Sequence, residues 1–171
     1  MLEVIVVDDF STDSSVEKIQ EFIPLIKFIQ NKKNFGVAIS RNKGIKISKG
    51  KYILMLDSDD YISNNFLEIV SCYLDNNYYW DAAACDYLKV DKKGKVIKRF
   101  NFRQNPIACG ILFRREKIFE IGLYNRTLRL NEEKELRKKF FKKKFKMGYV
   151  ELPLYRYVIH EGNITRNIND K

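Results

Sequence analysis

"YILMLDSDDYI", residues 52–62, decides how the rest of the chain is read. Tyr52 to Leu56 form an apolar and aromatic run, short enough for a strand and suited to burial on both faces. Asp57, Asp59 and Asp60 follow within four positions. Carboxylates crowded at the end of a buried strand repel one another, and folding alone gains nothing from them. They call for positive charge from elsewhere, and Asp-rich turns that merely cap a helix are the plain alternative.

Working outward, the first third alternates strand and helix. Leu2 to Val7 is rich in Val and Ile and ends at Asp8-Asp9. Ser14-x-x-Glu17 has the form of a capping box, and Val16, Ile19, Phe22 and Ile23 then share a helical face. Pro24 ends that helix, and Leu25 to Gln30 is a second strand. A helix runs from Asn34-Phe35-Gly36 to about Ser48, with Gly50 as its expected stop. Strands and helices in this order predict an α/β fold: a Rossmann-type sandwich with a mostly parallel central sheet and a mixed C-terminal half. Ligands of such sheets bind beyond the carboxyl ends of the strands, where Asp8-Asp9 and residues 57–60 both fall.

Further on, Phe66, Ile69, Val70, Tyr73 and Leu74 make an amphipathic helix. Ala82 to Val90 and Val96 to Phe102 flank Asp91-Lys92-Lys93-Gly94-Lys95 as a hairpin. Ile111 to Arg114 is a strand followed by a short helix ending at Gly122. Glu132 to Lys146 is expected to be helical, with Leu136, Phe140, Phe141 and Phe145 apolar and eight Lys or Arg against three Glu. Leu152 to Val158 closes the pattern as a strand interrupted at Pro153.

The 171 residues, 45% hydrophobic, suit one globular domain over 1–171 rather than a disordered chain. No apolar run nears the ~18 residues of a membrane span, and no signal peptide opens the chain. Three cysteines with no C-x-x-C pair argue against zinc and against a disulfide framework. A reducing, cytoplasmic location is the expectation. The net charge of +10 predicts a polyanionic partner.

Individual residues then stand out. Hard divalent cations such as Mg2+ or Mn2+ take carboxylate oxygens and keep positions open for water and phosphate, which suits Asp57-x-Asp59. Ser11, Thr12 and Asp13 either cap the next helix or join Asp8-Asp9 in ligand contact. Arg41, flanked at i±4 by Val37 and Ile45, lies on the buried side of its helix. A cation there needs a carboxylate or phosphate partner, either Asp8 or Asp57 in a salt bridge or the ligand itself.

Together, "VIVVDDFSTDSS" (4–15), "NFGVAISRNKGIKISKGKYILMLDSDD" (34–60) and "GILFRREKIFEIGLYN" (110–125) closely resemble family 2 glycosyltransferases of the GT-A fold. "NEEKELRKKF" (131–140) and "PLYRYVIHEGNIT" (153–165) are similar to that family's ending in order and spacing. The resemblance implies that Asp8, Asp9 and Ser11 belong to the turn that meets the nucleotide base, with Arg41 supporting it. Asp57 is implied near the ribose and on the metal, Asp59 on the metal, and Asp60 beside them. Glu132-Glu133 takes the place of the family's Glu-Asp pair, with Glu133 at the catalytic base and Glu132 as the alternative. His160 falls where some members have a histidine near the diphosphate and metal; a surface position at a strand end is equally open.

The activity implied is metal-dependent, inverting transfer of a sugar from a nucleotide-diphosphate donor to a glycan or lipid-linked acceptor, with Mn2+ or Mg2+ as cofactor. Family members begin with a further strand and a Pro-Thr-Tyr-Asn-like loop, whereas Met1 stands at the second strand, so the resemblance implies an N-terminally short version. The alternative is a catalytically weak or inactive relative acting as a binding or membrane-associated module. Glu133 in place of Asp is one methylene longer, and a ~1 Å displacement can cost ~100-fold in rate. Phosphatases with a D-x-D nucleophile and receiver-type signalling domains share fragments of the pattern, but the first lacks the preceding fifty residues and the second lacks the half from residue 100 onward. The basic 132–146 segment is expected either to be a solvated face or to touch an anionic membrane at its inner face. No nucleic-acid motif accompanies the charge.

Overall fold

The computed structural model describes residues 2–161 and 163. In chain order the elements are β1 (Ile5–Asp8), α1 (Ser15–Gln20), β2 (Lys27–Gln30), α2 (Val37–Ile47), β3 (Tyr52–Leu54), β4 (Tyr61–Ile62), α3 (Phe66–Asn76), β5 (Ala82–Val90), β6 (Val96–Phe100), β7 (Ile111–Arg114), α4 (Arg115–Glu120), α5 (Glu132–Lys142) and β8 (Met147–Val158). Two compact units divide them: Met1–Ile53 with Phe113–Phe145, and Leu54–Leu112 with Lys146–Lys171.

In the first unit β1 and β2 pair in parallel, from Ile5 opposite Lys27 to Asp8 opposite Gln30. A helix packed on β1 needs close approach, and Gly44 of α2 supplies it: a Cβ there would lie 3.5 Å from Val7 and 3.7 Å from Ile5. α2 leaves its axis at Ser48, whose extended backbone follows Ile47 and whose hydroxyl donates to the Ile45 carbonyl at 2.7 Å. Ser48, not Gly50, therefore ends the helix.

α1 is shorter than the periodicity predicted. It stops at Gln20 and buries no residue, and Phe22 and Ile23 are exposed. The predicted capping box is also absent. Ser14 has φ −73° and ψ 12° and makes no side-chain cap, whereas Asp13 Oδ1 accepts the Ser15 N–H at 3.0 Å. A capping side chain needs an extended N-cap backbone, which Ser14 does not have.

α5 ends at Lys142 rather than Lys146. Lys144 has φ 60°, its N–H donates to the Phe141 carbonyl, and the Phe145 N–H donates to the Phe140 carbonyl. This pair of bonds is a Schellman motif with lysine at the left-handed position, sealed by the Phe140 and Phe145 rings at 5.4 Å. Phe140 is fully buried and meets Phe113 edge-on at 5.8 Å, while Phe141 is half exposed.

In the second unit β5 carries the core. Its neighbours are β7 and β8, β6 pairs with it from outside that path, and β4 follows β8. β5 and β8 run parallel, Ala82 opposite Met147 to Val90 opposite Val158, with irregularities around Asp86. β8 is thus one long strand from Met147, and Pro153 sits at the irregularity facing Asp86 instead of breaking it. β6 and β4 are antiparallel to their partners. The hairpin turn closes with Gly94 at φ 79° and the Gly94 N–H on the Asp91 carbonyl. α3 buries Phe66, Val70 and Leu74 at four-residue spacing and packs on β5 and β8.

Within residues 52–56 only Ile53 and Met55 are buried; Leu56 is half exposed. The strand alternates, one face in and one face part-wet, instead of burying both. The result is an α/β fold with mixed parallel and antiparallel pairing. Among the described residues no helix is long and apolar enough to cross a membrane.

Candidate functional site

In the first unit, β1 ends at the acidic pair. Asp8 is buried, and its carboxylate accepts the Ser11 N–H at 3.2 and 3.3 Å. Asp9 turns the other way: Oδ1 accepts from the Asn31 amide at 2.7 Å and the Phe35 N–H at 2.9 Å, and Oδ2 accepts the Gly36 N–H at 2.7 Å. Burial would push the Asp9 carboxyl up, but bonds from Phe35, Asn31, Gly36 and Ser40 together hold it below the ordinary range. Asp9 therefore fixes the loop entering α2, where Gly36 adopts φ 93°. Ser11, a candidate from the sequence, closes the turn through its backbone.

Arg41 lies on the buried side of α2, as its neighbours predicted. Its Nη1 donates to Glu132 Oε1 at 2.8 Å, and both side chains are nine-tenths buried or nearly so. The guanidinium also stands over the Tyr124 ring at 5.4 Å. Glu132 as partner was not foreseen from the sequence. Three acidic residues, Glu132, Glu133 and Glu135, occupy the first turn of α5, where the helix dipole favours negative charge. Glu133 is half-buried beside the ion pair's glutamate.

In the second unit the D-x-D residues form a turn closed by the Asp60 N–H on the Asp57 carbonyl at 3.1 Å. Asp59 presents an exposed carboxylate whose Oδ2 meets His160 Nε2 at 2.8 Å. The Asn163 amide donates to the same oxygen at 3.2 Å and to the Val158 carbonyl at 3.1 Å, while its own Oδ1 accepts the His160 N–H at 2.6 Å. Asn163 thus ties the turn after β8 to the acidic turn and aims His160 at Asp59. Gly162, Ile164 and Thr165 of the closing motif lie outside the described residues.

Asp60 behaves differently from its neighbours. Its oxygens accept the Tyr155 hydroxyl at 2.6 Å and the Val158 N–H at 2.8 Å. Burial raises its carboxyl to about 6, with the charges of Asp59 and Asp57 adding to the rise against those two bonds. Burial likewise drives the Tyr155 phenol far up, so it stays a donor. Asp60 is the clamp that holds β8 to the acidic turn.

Among the described residues no three His, Cys, Asp or Glu side chains gather as a complete metal cage. What is present is an open pair, a carboxylate and an imidazole, with Asp57 two residues away. Such a set suits a cation whose remaining positions are filled by water and phosphate.

Asn31, Tyr155 and Asn163 were not singled out from the sequence. Asn31 directly follows β2, so the carboxyl-end rule that marked Asp8-Asp9 could have found it. Asn163 stands three residues after His160, a spacing for a side-chain-closed turn.

The sequence matches the family described as Glycosyl transferase family 2 over residues 1–150. It is 36% identical over 146 residues to an uncharacterized glycosyltransferase of Rickettsia bellii, covering 77% of this chain and 21% of that protein. It is 35% identical over 109 residues to the poly(ribitol-phosphate) beta-N-acetylglucosaminyltransferase TarP of Staphylococcus aureus, covering 62% of this chain and 33% of the relative. The chain thus spans about a fifth to a third of the length of these relatives. Its fold is similar to that of S. aureus TarS 1–349 in complex with UDP-GlcNAc, at a TM-score of 0.78 and 21% identity, over 94% of this chain and 50% of the other. With a family match across 150 residues and that fold, the chain belongs to glycosyl transferase family 2.

Proposed function

We propose that the chain is the donor-binding and catalytic part of an inverting glycosyltransferase that takes a nucleotide-diphosphate sugar and passes the sugar to a glycan or lipid-linked acceptor. The observation that carries this reading is the exposed Asp59 carboxylate held against His160 within a chain of this family. UDP and UDP-GlcNAc bound to S. aureus TarS support a nucleotide-sugar donor.

The first unit supplies Asp8, Asp9 and Ser11 for the nucleoside and Glu133 for the acceptor. Glu133 removes the proton of the acceptor hydroxyl as that oxygen attacks the anomeric carbon and the nucleoside diphosphate leaves from the opposite face. Glu132 is committed to Arg41, which makes Glu133 the better base. The second unit supplies Asp57, Asp59 and His160 for a divalent cation, Mn2+ or Mg2+, with Asp60 holding the turn. A bound cation would neutralise the charge that develops on the diphosphate. Exposed lysines on and after α5 support peripheral contact with an anionic membrane surface.

Donor hydrolysis and transfer assays with UDP-GlcNAc and related donors test the proposal. Release of nucleoside diphosphate that Glu133→Gln abolishes supports it. A chain that neither binds nor consumes any nucleotide sugar contradicts it.

A further inference from the structure

Tyr78, Tyr79 and Trp80 lie in the loop between α3 and β5. Tyr78 is 88% exposed and Tyr79 51%. Aromatic rings left in water contribute little to folding. The loop is nevertheless built firmly. The Asn77 amide donates to the Tyr73 carbonyl at 2.8 Å, and its Oδ1 accepts the Tyr79 hydroxyl at 2.9 Å. The Asn77 carbonyl accepts the Trp80 N–H at 3.0 Å. Gly148 makes room alongside: a Cβ there would lie 3.0 Å from the Trp80 ring and 2.6 Å from that of Tyr73.

The ring geometry and the nearby charge point to what covers these side chains. The ring planes cross at 80° between Tyr78 and Tyr79 and at 50° between Tyr79 and Trp80. They therefore offer no flat platform to a sugar or a base. Tyrosine and tryptophan, each an apolar ring with a polar tip, suit the boundary between lipid headgroups and acyl chains, which demands no fixed shape. Positive charge adjoins the loop. The Lys146 N–H donates to Asp81 Oδ2 at 2.8 Å, and the Asp81 N–H donates to the Lys146 carbonyl at 2.8 Å. Exposed Lys146 is thus held next to the end of the loop, and Lys142, Lys143 and Lys144 precede it in the chain. With a net charge of +10, a second copy is repelled and an anionic surface attracted.

We infer that the Tyr78-Tyr79-Trp80 loop is a membrane anchor whose rings enter the interface of an anionic bilayer. The inference rests on the peripheral-membrane reading above and supplies its second element, since stable attachment takes apolar insertion as well as basic charge. Asp60 of the acidic turn bonds to Val158, the last residue of β8, whereas Asp81 and Lys146 flank the other end of the β5–β8 pair. The anchor is therefore remote from the acidic turn.

Trp80 is the chain's only tryptophan and reports on the loop directly. Its emission is followed as phosphatidylserine–phosphatidylcholine vesicles, with and without brominated acyl chains, are added to wild type, Tyr78→Ser and Tyr78→Phe. Sedimentation velocity without lipid is run beside it. Wild-type emission should shift to the blue and be quenched by the brominated chains. Tyr78→Ser should bind about fivefold more weakly, with Tm within about 2 °C of wild type, and Tyr78→Phe should keep the affinity. Wild type that binds with unchanged Trp80 emission, or Tyr78→Ser binding within twofold of wild type, overturns the inference and leaves the lysines as the whole contact. Lipid-free self-association that Tyr78→Ser abolishes would assign the rings to a second copy and also overturns it. Failure of wild type to bind these vesicles overturns the membrane reading beneath it.

Discussion

Arg41 and Glu132 form a nearly buried ion pair at 2.8 Å, and the next residue along α5, Glu133, is left half-buried without a share in it. Adjacent glutamates on one helix turn thus have different environments. The buried one is paired with a cation, and the other stands outside that pair.

Glutamine substitutions should separate the two. Glu133→Gln is expected to lower kcat by about 10²–10⁴ with donor affinity nearly unchanged, the pattern of a general base. Glu132→Gln should instead lower stability, by about 1–3 kcal/mol, because a nearly buried guanidinium loses one charged partner. Turnover of each variant together with its denaturation midpoint checks both. The reverse pattern would move the base to Glu132.

Asp60 predicts a pH dependence of stability. Its folded-state carboxyl is raised to about 6 by burial and by the neighbouring aspartates, so the folded chain holds a proton that the unfolded chain releases near 4. Stability from this group is full below pH 4 and falls as pH rises from about 4 to about 6. Asp9 works in the opposite sense: its carboxyl is held low, and the stability it adds is lost as pH falls below about 4. Urea unfolding across pH 3.5–7 should show a decline between 4 and 6 that Asp60→Asn removes.

The Schellman motif offers a stabilising change. Lys144 occupies a left-handed position that glycine adopts freely, so Lys144→Gly should gain roughly 0.5–1 kcal/mol after glycine's own entropic cost. Equilibrium unfolding measures it, and a loss of stability would mean that the lysine side chain holds the turn.

Much of this fold was legible because it is local. Phe66, Val70 and Leu74 recur at four-residue spacing, and all three are buried. The Asp91–Gly94 turn dictates its hairpin, and the Val and Ile runs mark their strands. Periodicity misled where an apolar pattern continued beyond the residues with anything to pack against, as at Phe22 and Ile23. The acidic turns were readable as strand ends, but their anchoring was not. Asn31 serves Asp9 across 22 positions, Tyr155 serves Asp60 across 95, and Asn163 serves Asp59 across 104. Strand-end position and turn spacing could mark Asn31 and Asn163, but no local pattern pairs any of the three with its aspartate.

The lysines at and beyond the end of α5 make a further prediction. Lys138, Lys142, Lys143 and Lys144 are exposed. Each near an anionic bilayer is worth about 1 kcal/mol, screened by salt. Co-sedimentation should show binding to vesicles containing phosphatidylserine, none to neutral vesicles, and loss on replacing Lys142, Lys143 and Lys144 by Gln. Binding indifferent to lipid charge would leave these lysines a solvated face.

In the proposed function, Asp59 is the carboxylate through which a cation reaches the donor's diphosphate. Calorimetric titration of UDP into the chain with and without Mn2+, for wild type and Asp59→Ala, measures this directly. The predicted result is at least tenfold tighter binding with Mn2+ in wild type and no metal effect in the variant. Equal UDP affinity with and without Mn2+ in wild type would contradict it.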